Sequence, residues 1–273
     1  MSTGSSIDAS APAPAHGEHL DASARPLAGR VAIVTGASRG IGTALARGVA
    51  AAGARVAVVS RTDEGCSVAV AAIESVGGEA LPIVADLGTD QGAEDVVDAT
   101  LDAWGSVDVV VNNAGLLQPH LVTKITSDEI DRLLAVNFRG PFRLCQYAFP
   151  HLVKTRGSIV NISALCALRG MTGIGAYAAS KAAMLAMTRT MAREWGLQGV
   201  RVNAVVPGGV ATDMILPRDP DEREAFVAEM SSTNALGRLA TPEDLVGPVV
   251  FMASDAAAYV TGQALQVDGG AFG

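Results

Sequence analysis

A short apolar strand leads directly into a glycine-rich turn and then into a helix near the start of this chain. Val31–Thr35 is a β-branched apolar run, and the turn Gly36–Gly42 (Gly-Ala-Ser-Arg-Gly-Ile-Gly) joins it to the helical pattern Ile41–Ala52. The glycines let the main chain turn tightly and approach a pyrophosphate, which the helix N-terminus attracts. Such a turn alone is weak evidence, but its place between a strand and a helix favours a dinucleotide site over an ordinary turn.

Apolar runs alternate with helical patterns from Gly29 onward. The predicted strands are Val31–Thr35, Arg55–Val59, Ala80–Val84, Val107–Val111, Ser158–Ile162, Arg201–Val206 and Gln263–Val267. The predicted helices include Ile41–Ala52, Asp90–Trp104, Ser127–Leu152 and Ala176–Leu197. This alternation indicates an α/β fold, a single Rossmann-type doubly wound parallel sheet of about seven strands with helices on both faces.

We place this single domain at residues 27–273. Residues 1–26 are rich in Ser, Ala and Pro and contain no long apolar run, so they resemble neither a signal peptide nor a membrane span. We predict a disordered tail there, and a targeting peptide fits less well because Arg25 is its only arginine and acidic residues are present. Asp213–Leu236 interrupts the alternation with two prolines and is predicted to be a mobile lid over a site.

The charge and the cysteines limit the classes of partner. A formal net charge of −8 without any Lys/Arg run disfavours nucleic acid or an anionic membrane, because both attract basic surfaces. The three scattered cysteines, Cys66, Cys145 and Cys166, form neither a disulfide framework nor a zinc site. We therefore expect no bound metal and a reducing, cytoplasmic setting.

Several short motifs occur in order along the chain. They are Thr35-Gly36-x-x-x-Gly40-x-Gly42, Asn112-Asn113-Ala114-Gly115, Tyr177-x-x-x-Lys181, Pro207-Gly208 and Val267-Asp268-Gly269-Gly270. Together they resemble the short-chain dehydrogenase/reductase family over essentially the whole chain after the tail. Leu236–Asp244 resembles that family's 3-oxoacyl carrier-protein reductase branch, which contains ketone reductases of unrelated role, so the branch does not fix the substrate.

The residues after the second predicted strand indicate which dinucleotide binds. An NAD-specific site places a carboxylate there to hold the ribose 2′-hydroxyl. Here Ser60 and Arg61 occupy that position, and Arg39 lies in the glycine turn. Two guanidinium groups can clamp a 2′-phosphate, and no carboxylate is expected to repel it. The charges therefore favour an NADP(H) site, and the alternative is that both arginines only face solvent.

The family resemblance implies further cofactor contacts at the ends of later strands. Asp86 and Leu87 would border the adenine, and Val210 and Thr212 would hold the nicotinamide amide. The complete predicted cofactor set is Gly36, Ser38, Arg39, Gly40, Ile41, Gly42, Ser60, Arg61, Asp86, Leu87, Asn113, Ala114, Gly115, Tyr177, Lys181, Pro207, Gly208, Val210 and Thr212.

Tyr177 and Lys181 are four residues apart and share one face of a predicted helix. A phenol is a poor base at neutral pH, and a neighbouring ammonium favours the phenolate. Such a pair is more often a surface pair, but the resemblance implies that Tyr177 is the acid/base and Lys181 its helper, which also holds the ribose hydroxyls. In the reductive direction the phenol protonates the alkoxide that hydride transfer forms.

Asn137 lies inside the predicted helix Ser127–Leu152, where an asparagine ordinarily faces solvent. Pro141, four residues later, has no N–H, so the carbonyl of Asn137 loses its helical hydrogen bond. A kink there would leave that carbonyl free to bind water. This matches the family's asparagine, which supports a water chain leading to the lysine.

The family's serine is missing from this chain. The pattern Ser-x12-Tyr, counted back from Tyr177, places Ala164 at that position, and Ser163 points to the opposite face if the strand register holds. Losing one donor to the carbonyl oxygen costs about 3 kcal/mol in the transition state. Three explanations stay open: a deliberately inactivated variant, a natural enzyme that is slower or uses another donor, or a bulge that brings Ser163 inward. The ungapped match favours the first two.

The predicted substrate side is mostly apolar. Its residues are Leu116, Leu117, Leu165, Cys166, Met171 and Met214, for each of which core packing is the alternative. We expect a small neutral, mostly apolar carbonyl or alcohol substrate, with Arg169 and His120 as candidates for a charged clamp. The rival class is a non-catalytic NADP(H)-binding scaffold or redox sensor, which Ala164 favours and the intact Tyr177, Lys181 and Asn137 oppose.

The resemblance also implies a homotetramer that pairs the helices Ser127–Leu152 and Ala176–Leu197. The second helix carries Met184, Leu185, Met187, Thr188, Met191 and Trp195. This is more apolar area than one sheet face needs, and an exposed patch of that kind usually marks an interface.

Overall fold

The computed structural model of this protein describes residues 25–271, so most of the predicted tail lies outside the described residues. Seven strands form one fully parallel sheet in the order β3-β2-β1-β4-β5-β6-β7. They are β1 Val31–Thr35, β2 Arg55–Ser60, β3 Ala80–Val84, β4 Val109–Asn112, β5 Ser158–Ile162, β6 Arg201–Pro207 and β7 Ala264–Val267. This confirms the predicted doubly wound sheet.

Eight α-helices cover the two faces of the sheet in the described part of the chain. They are α1 Gly40–Ala51, α2 Asp63–Glu74, α3 Asp90–Trp104, α4 Ser127–Leu134, α5 Gly140–Thr155, α6 Gly175–Trp195, α7 Pro220–Ser232 and α8 Val246–Ala253. The core on one face includes buried residues of α1, α2 and α8, and the core on the other face includes those of α3, α5 and α6. Both faces are therefore covered, as the continuous apolar strands require.

The fourth strand begins two residues later than predicted, at Val109. Asp108 lies before it, where its Oδ2 accepts a hydrogen bond from the Val31 N–H at 3.0 Å. The carboxylate of Asp108 thus binds the first N–H group of β1, whereas the apolar pattern had placed Asp108 inside the fourth strand.

The predicted helix Ser127–Leu152 is two helices, because it is interrupted near Pro141. α4 ends at Leu134, a π-helical turn covers Ala135–Arg139, and α5 begins at Gly140, whose N–H bonds the Ala135 carbonyl. Pro141 cannot donate to the carbonyl of Asn137 four residues back, and a wider turn accommodates the missing bond.

The expectation of an exposed apolar patch on α6 is wrong, and the pairing of helices between subunits stays a prediction. Met184, Leu185, Met187, Thr188 and Met191 are all buried within the chain's own core. α6 packs against the sheet on one side and near the π-helical turn on another, so its apolar area is used internally. Among the six residues, only Trp195 is half-buried, and its ring lies 4.6 Å from that of Phe149.

Candidate active site

One large cavity opens at the carboxyl ends of the parallel strands, where α/β sheets bind their ligands. Its volume is about 1050 Å³. Every residue of the predicted cofactor set lines it, together with Ser163 and Ala164. Asn137 does not line the cavity and lies behind its wall.

The glycine turn at one end of the cavity needs glycine for steric reasons. Gly36 has a left-handed φ of 64°, and a Cβ there would lie 2.7 Å from the Ala114 Cα. A Cβ on Gly42 would overlap the Gly36 carbonyl oxygen. The turn therefore packs closely on the segment after β4 and leaves its main chain accessible to a ligand.

Thr35 organises this end of the site, although the sequence analysis assigned it no role. Its buried Oγ1 accepts hydrogen bonds from the N–H groups of Asn113 and Ala114, both at 3.0 Å. The Asn113 side chain returns a bond to the Thr35 carbonyl at 2.9 Å. A polar residue closing an apolar strand directly before the glycines was the signal that could have identified it.

The far end of the cavity carries both signs of charge. Arg39 and Arg61 line it, as expected, but Glu64 lines it too, so the expectation that no carboxylate lies there is wrong. α2 begins at Asp63 with Thr62 as its N-cap, and its first turn carries acidic residues because the helix dipole favours them there. Asp86, which follows β3, lines the cavity as well, so Arg39 and Arg61 do not outnumber the carboxylates of Glu64 and Asp86.

Tyr177 and Lys181 lie together in the middle of the cavity wall. The Lys181 Nζ is 5.9 Å from the centre of the Tyr177 ring and donates a 2.9 Å hydrogen bond to the Ile162 carbonyl. Burial lowers the pKa of Lys181 to about 8 and raises the pKa of Tyr177 above its ordinary value. Burial therefore favours the neutral phenol of Tyr177 over the expected phenolate.

Asn137 is fully buried, so the interpretation as a solvent-facing side chain is wrong. Its Oδ1 accepts from the Leu116 N–H at 2.7 Å, and its Nδ2 donates to the Leu116 carbonyl at 2.9 Å. The Nδ2 also donates to Ser180 Oγ at 3.0 Å, and that hydroxyl donates to the Tyr177 carbonyl. The side chain thereby ties the π-helical turn to the loop after β4 and to α6, a linkage that sequence spacing does not reveal.

Ala164 and Ser163 continue the line of β5 past its end. Ala164 is extended, with φ −160° and ψ 153°, and lies beside the cavity with only a methyl group to offer. Ser163 is buried, and its Oγ donates to the Lys181 carbonyl at 3.0 Å. The hydroxyl hydrogen of Ser163 is thus used within the protein.

The remaining wall is mainly apolar. All six predicted substrate-side residues line it, and the predicted lid segment, which contains α7, adds Ile215, Phe226 and Met230. Arg169 also lines the cavity and donates to the Ala271 carbonyl at 2.9 Å. His120 is not on the wall and pairs with Glu129 at 3.0 Å, so its assignment as a clamp is wrong.

Residues 25–271 contain neither a metal-binding cluster nor a membrane-spanning helix. That range contains no cluster of three His, Cys, Asp or Glu side chains able to hold a metal ion. None of the helices described there is both long and apolar enough to cross a membrane.

Comparison with known proteins adds to this geometry. The family model described as enoyl-(acyl carrier protein) reductase matches residues 36–271. The short-chain reductase protein NovJ of Streptomyces niveus is 40% identical over 245 residues, which cover 88% of this chain and 93% of that protein. L-rhamnose 1-dehydrogenase (NAD(P)(+)) of a Sphingomonas species is 39% identical over 251 residues, covering 90% and 97%.

A solved structure is similar over almost the full length. The 3-oxoacyl (acyl-carrier-protein) reductase from Agrobacterium tumefaciens C58, with NADP bound, superposes with a TM-score of 0.85 at 32% identity. The match covers 90% of this chain and 95% of that one.

Proposed function

This chain belongs to the short-chain dehydrogenase/reductase family, and we propose that it is an NADP(H)-dependent enzyme that interconverts a ketone and a secondary alcohol, with Tyr177 as the acid/base. The observation that carries the proposal is the single cavity that joins the glycine turn to Tyr177 and Lys181. A dinucleotide lying along such a cavity extends from a phosphate-binding turn to a proton donor.

The residues present fit NADP(H). Gly36 and Gly42 line the cavity and allow its tight turn, because a Cβ on either would clash with the protein's own atoms. Arg39 and Arg61 provide guanidinium groups for a 2′-phosphate. When bound, the dinucleotide gives or takes the hydride. The similar reductase of Agrobacterium tumefaciens contains NADP, which supports the assignment.

The chain's own residues handle the proton. Tyr177 is half-buried and its pKa is raised, so its Oη holds a proton at neutral pH and can donate it to a carbonyl oxygen as that oxygen gains charge. Lys181 lies beside it, and Asn137 holds Leu116 behind the site. Ala164 donates no hydrogen bond, so the developing oxyanion has one donor fewer than the family pattern supplies.

The substrate we propose is small, neutral and mostly apolar. The apolar wall continues to the rim, where Met171, Met214 and Leu236 are exposed. The relatives carry names for different substrates, from a sugar to a carrier-bound acyl group, so similarity alone does not choose among carbonyl compounds. The three cysteines are free and buried, which fits the proposed reducing, cytoplasmic setting.

The alternative is a non-catalytic NADP(H)-binding scaffold or redox sensor. Ala164 is the observation that favours it. The buried Lys181 beside Tyr177 opposes it, because a nucleotide sensor gains nothing from keeping a costly ammonium group out of water.

NADPH consumption with a panel of neutral ketones tests the proposal, and Tyr177→Phe is the matched control. The proposed function predicts slow turnover of at least one ketone that disappears in Tyr177→Phe, although that variant still binds NADPH. NADPH binding without turnover, in this protein and in Ala164→Ser, would support the scaffold instead.

A further inference from the structure

Two hydrogen bonds join Lys181 of α6 to the end of β5. The Ser163 Oγ donates to the main-chain carbonyl of Lys181 at 3.0 Å, and the Lys181 Nζ donates to the carbonyl of Ile162, the residue before Ser163, at 2.9 Å. Ser163 and Lys181 are each only 3% exposed. One bond fixes the backbone of the lysine and the other fixes its ammonium, both from the same end of the strand.

The strand end is itself fixed. The Ser163 N–H donates to the Val205 carbonyl of β6 at 2.9 Å, so the sheet pairing continues one residue beyond β5. Ala164, the next residue, lies beside the cavity. The sheet therefore fixes the position of Ser163, and the Ser163 side chain in turn fixes the main chain of α6 at Lys181.

We propose that Ser163 is a positioning residue that holds Lys181 in place for the acid/base Tyr177, and that it is not the donor to the substrate. Without the Ser163 hydroxyl, only the hydrogen bond from the Lys181 ammonium to the Ile162 carbonyl joins the end of β5 to Lys181. Their junction loosens, and water reaches the Lys181 Nζ. The catalytic part of this role rests on the proposed function, whereas the effect on Lys181 itself does not.

The consequence for Lys181 has a definite sign. Burial is what lowers its pKa, so hydration raises it toward the ordinary value for lysine. The titratable groups beside it are Tyr177 on its own helix and Cys166 from the turn after β5, and the facing residues Asn137 and Gly115 carry no charge. Both titratable groups remain unchanged in a Ser163 variant, so the shift reports the hydration of Lys181.

The chain contains only three lysines, Lys124, Lys154 and Lys181, so carbon-13 NMR of labelled lysine side chains can follow Lys181 directly without any substrate. Loss of the resonance in Lys181→Met assigns it. In Ser163→Ala we expect the pKa of Lys181 to rise by about one unit, as partial rehydration predicts.

Ser158→Ala is the matched control. Ser158 is equally buried at the opposite end of β5, and its Oγ makes the same kind of bond, to the Met252 carbonyl at 3.0 Å. Its removal should lower stability similarly but leave the pKa of Lys181 unchanged. Ser163→Thr, which keeps the hydroxyl, should restore the parent value, and if Ser163→Ala does not fold, Ser163→Gly is titrated in its place.

The effect of Ser163 on catalysis is tested in the Ala164→Ser background, where turnover is expected to be measurable. Ser163→Ala should lower kcat about tenfold and move the pH profile upward together with the NMR titration. An unchanged Lys181 pKa in a folded Ser163→Ala protein, or an equal shift in Ser158→Ala, would overturn the proposal. Abolished turnover with an unmoved titration would instead make Ser163 the substrate donor. If no protein reduces any ketone, the proposed function fails, and the NMR titration still decides whether Ser163 positions Lys181.

Discussion

The side chain of Asn137 forms a two-bond clamp on the main chain of Leu116, accepting from its N–H at 2.7 Å and donating to its carbonyl at 2.9 Å. Leu116 directly follows the segment Asn113–Gly115 on the cavity wall. The clamp therefore holds the central part of the site from behind.

Asn137→Ala should lower both stability and activity. It leaves the polar groups of Leu116 without partners, which costs about 1–3 kcal/mol. Asn203→Ala is the control, since that buried asparagine clamps the Val260 carbonyl and the Gln263 N–H away from the cavity. Both variants should unfold at lower urea, but only Asn137→Ala should reduce turnover in the Ala164→Ser background. Equal activity in the two would show that the clamp has no role in the site.

NADPH should bind more tightly than NADH, because Arg39 and Arg61 favour the additional phosphate. Isothermal titration calorimetry of both nucleotides measures the preference. Replacing both arginines with Met should erase it, whereas Glu64→Gln should strengthen it by removing the opposing carboxylate. Equal affinities in the unmodified protein would contradict this prediction.

Lys181→Met should stabilise the protein more at pH 7 than at pH 10. The pKa of Lys181 is about 8 in the folded protein and about 10.5 when exposed, so between these values the unfolded chain binds more protons. The cost of burying this group is complete below about pH 8 and fades as pH approaches 10.5. Melting temperatures across this range test it, with exposed Lys154→Met as the control; a pH-independent difference would refute it.

The protein should form a homotetramer, although α6 provides no exposed apolar face. Exposed apolar side chains occur instead from α8 to β7: Phe251 of α8 and Leu265 of β7 are partly exposed, and Tyr259 between them is fully exposed. β7 pairs with β6 on one side only within the described chain. Light scattering should give a tetramer mass that falls in a Tyr259→Glu, Leu265→Lys double variant but not in Val76→Lys. A monomer at micromolar concentration would exclude this prediction.

The sequence predicted the features that depend on local pattern. Buried β-branched runs mark each strand, and the motifs placed Gly36, Tyr177 and Lys181 in one cavity before any geometry was known. These residues are fixed by the order of elements, because parallel strands bring their carboxyl ends to one edge.

Features that depend on packing were not predictable. The partner of Asn137 is 21 residues away, and the partner of Ser163 is 18 residues away on another element. The place of Glu64 on the cavity wall was not predicted, because the sequence pattern did not identify the start of α2. The apolar residues of α6 could equally have faced another subunit, so their burial in the chain's own core could not be predicted from the sequence.

We expect the catalytic apparatus of this protein to be complete except for one hydrogen-bond donor at Ala164. The most direct measurement is the kcat for NADPH-dependent ketone reduction in this protein, in Ala164→Ser and in Ala164→Gly, which adds no donor. Ala164→Ser should raise kcat by about a hundredfold with little change in NADPH affinity, and Tyr177→Phe should abolish the gain. An unchanged kcat in a folded Ala164→Ser protein would contradict the account.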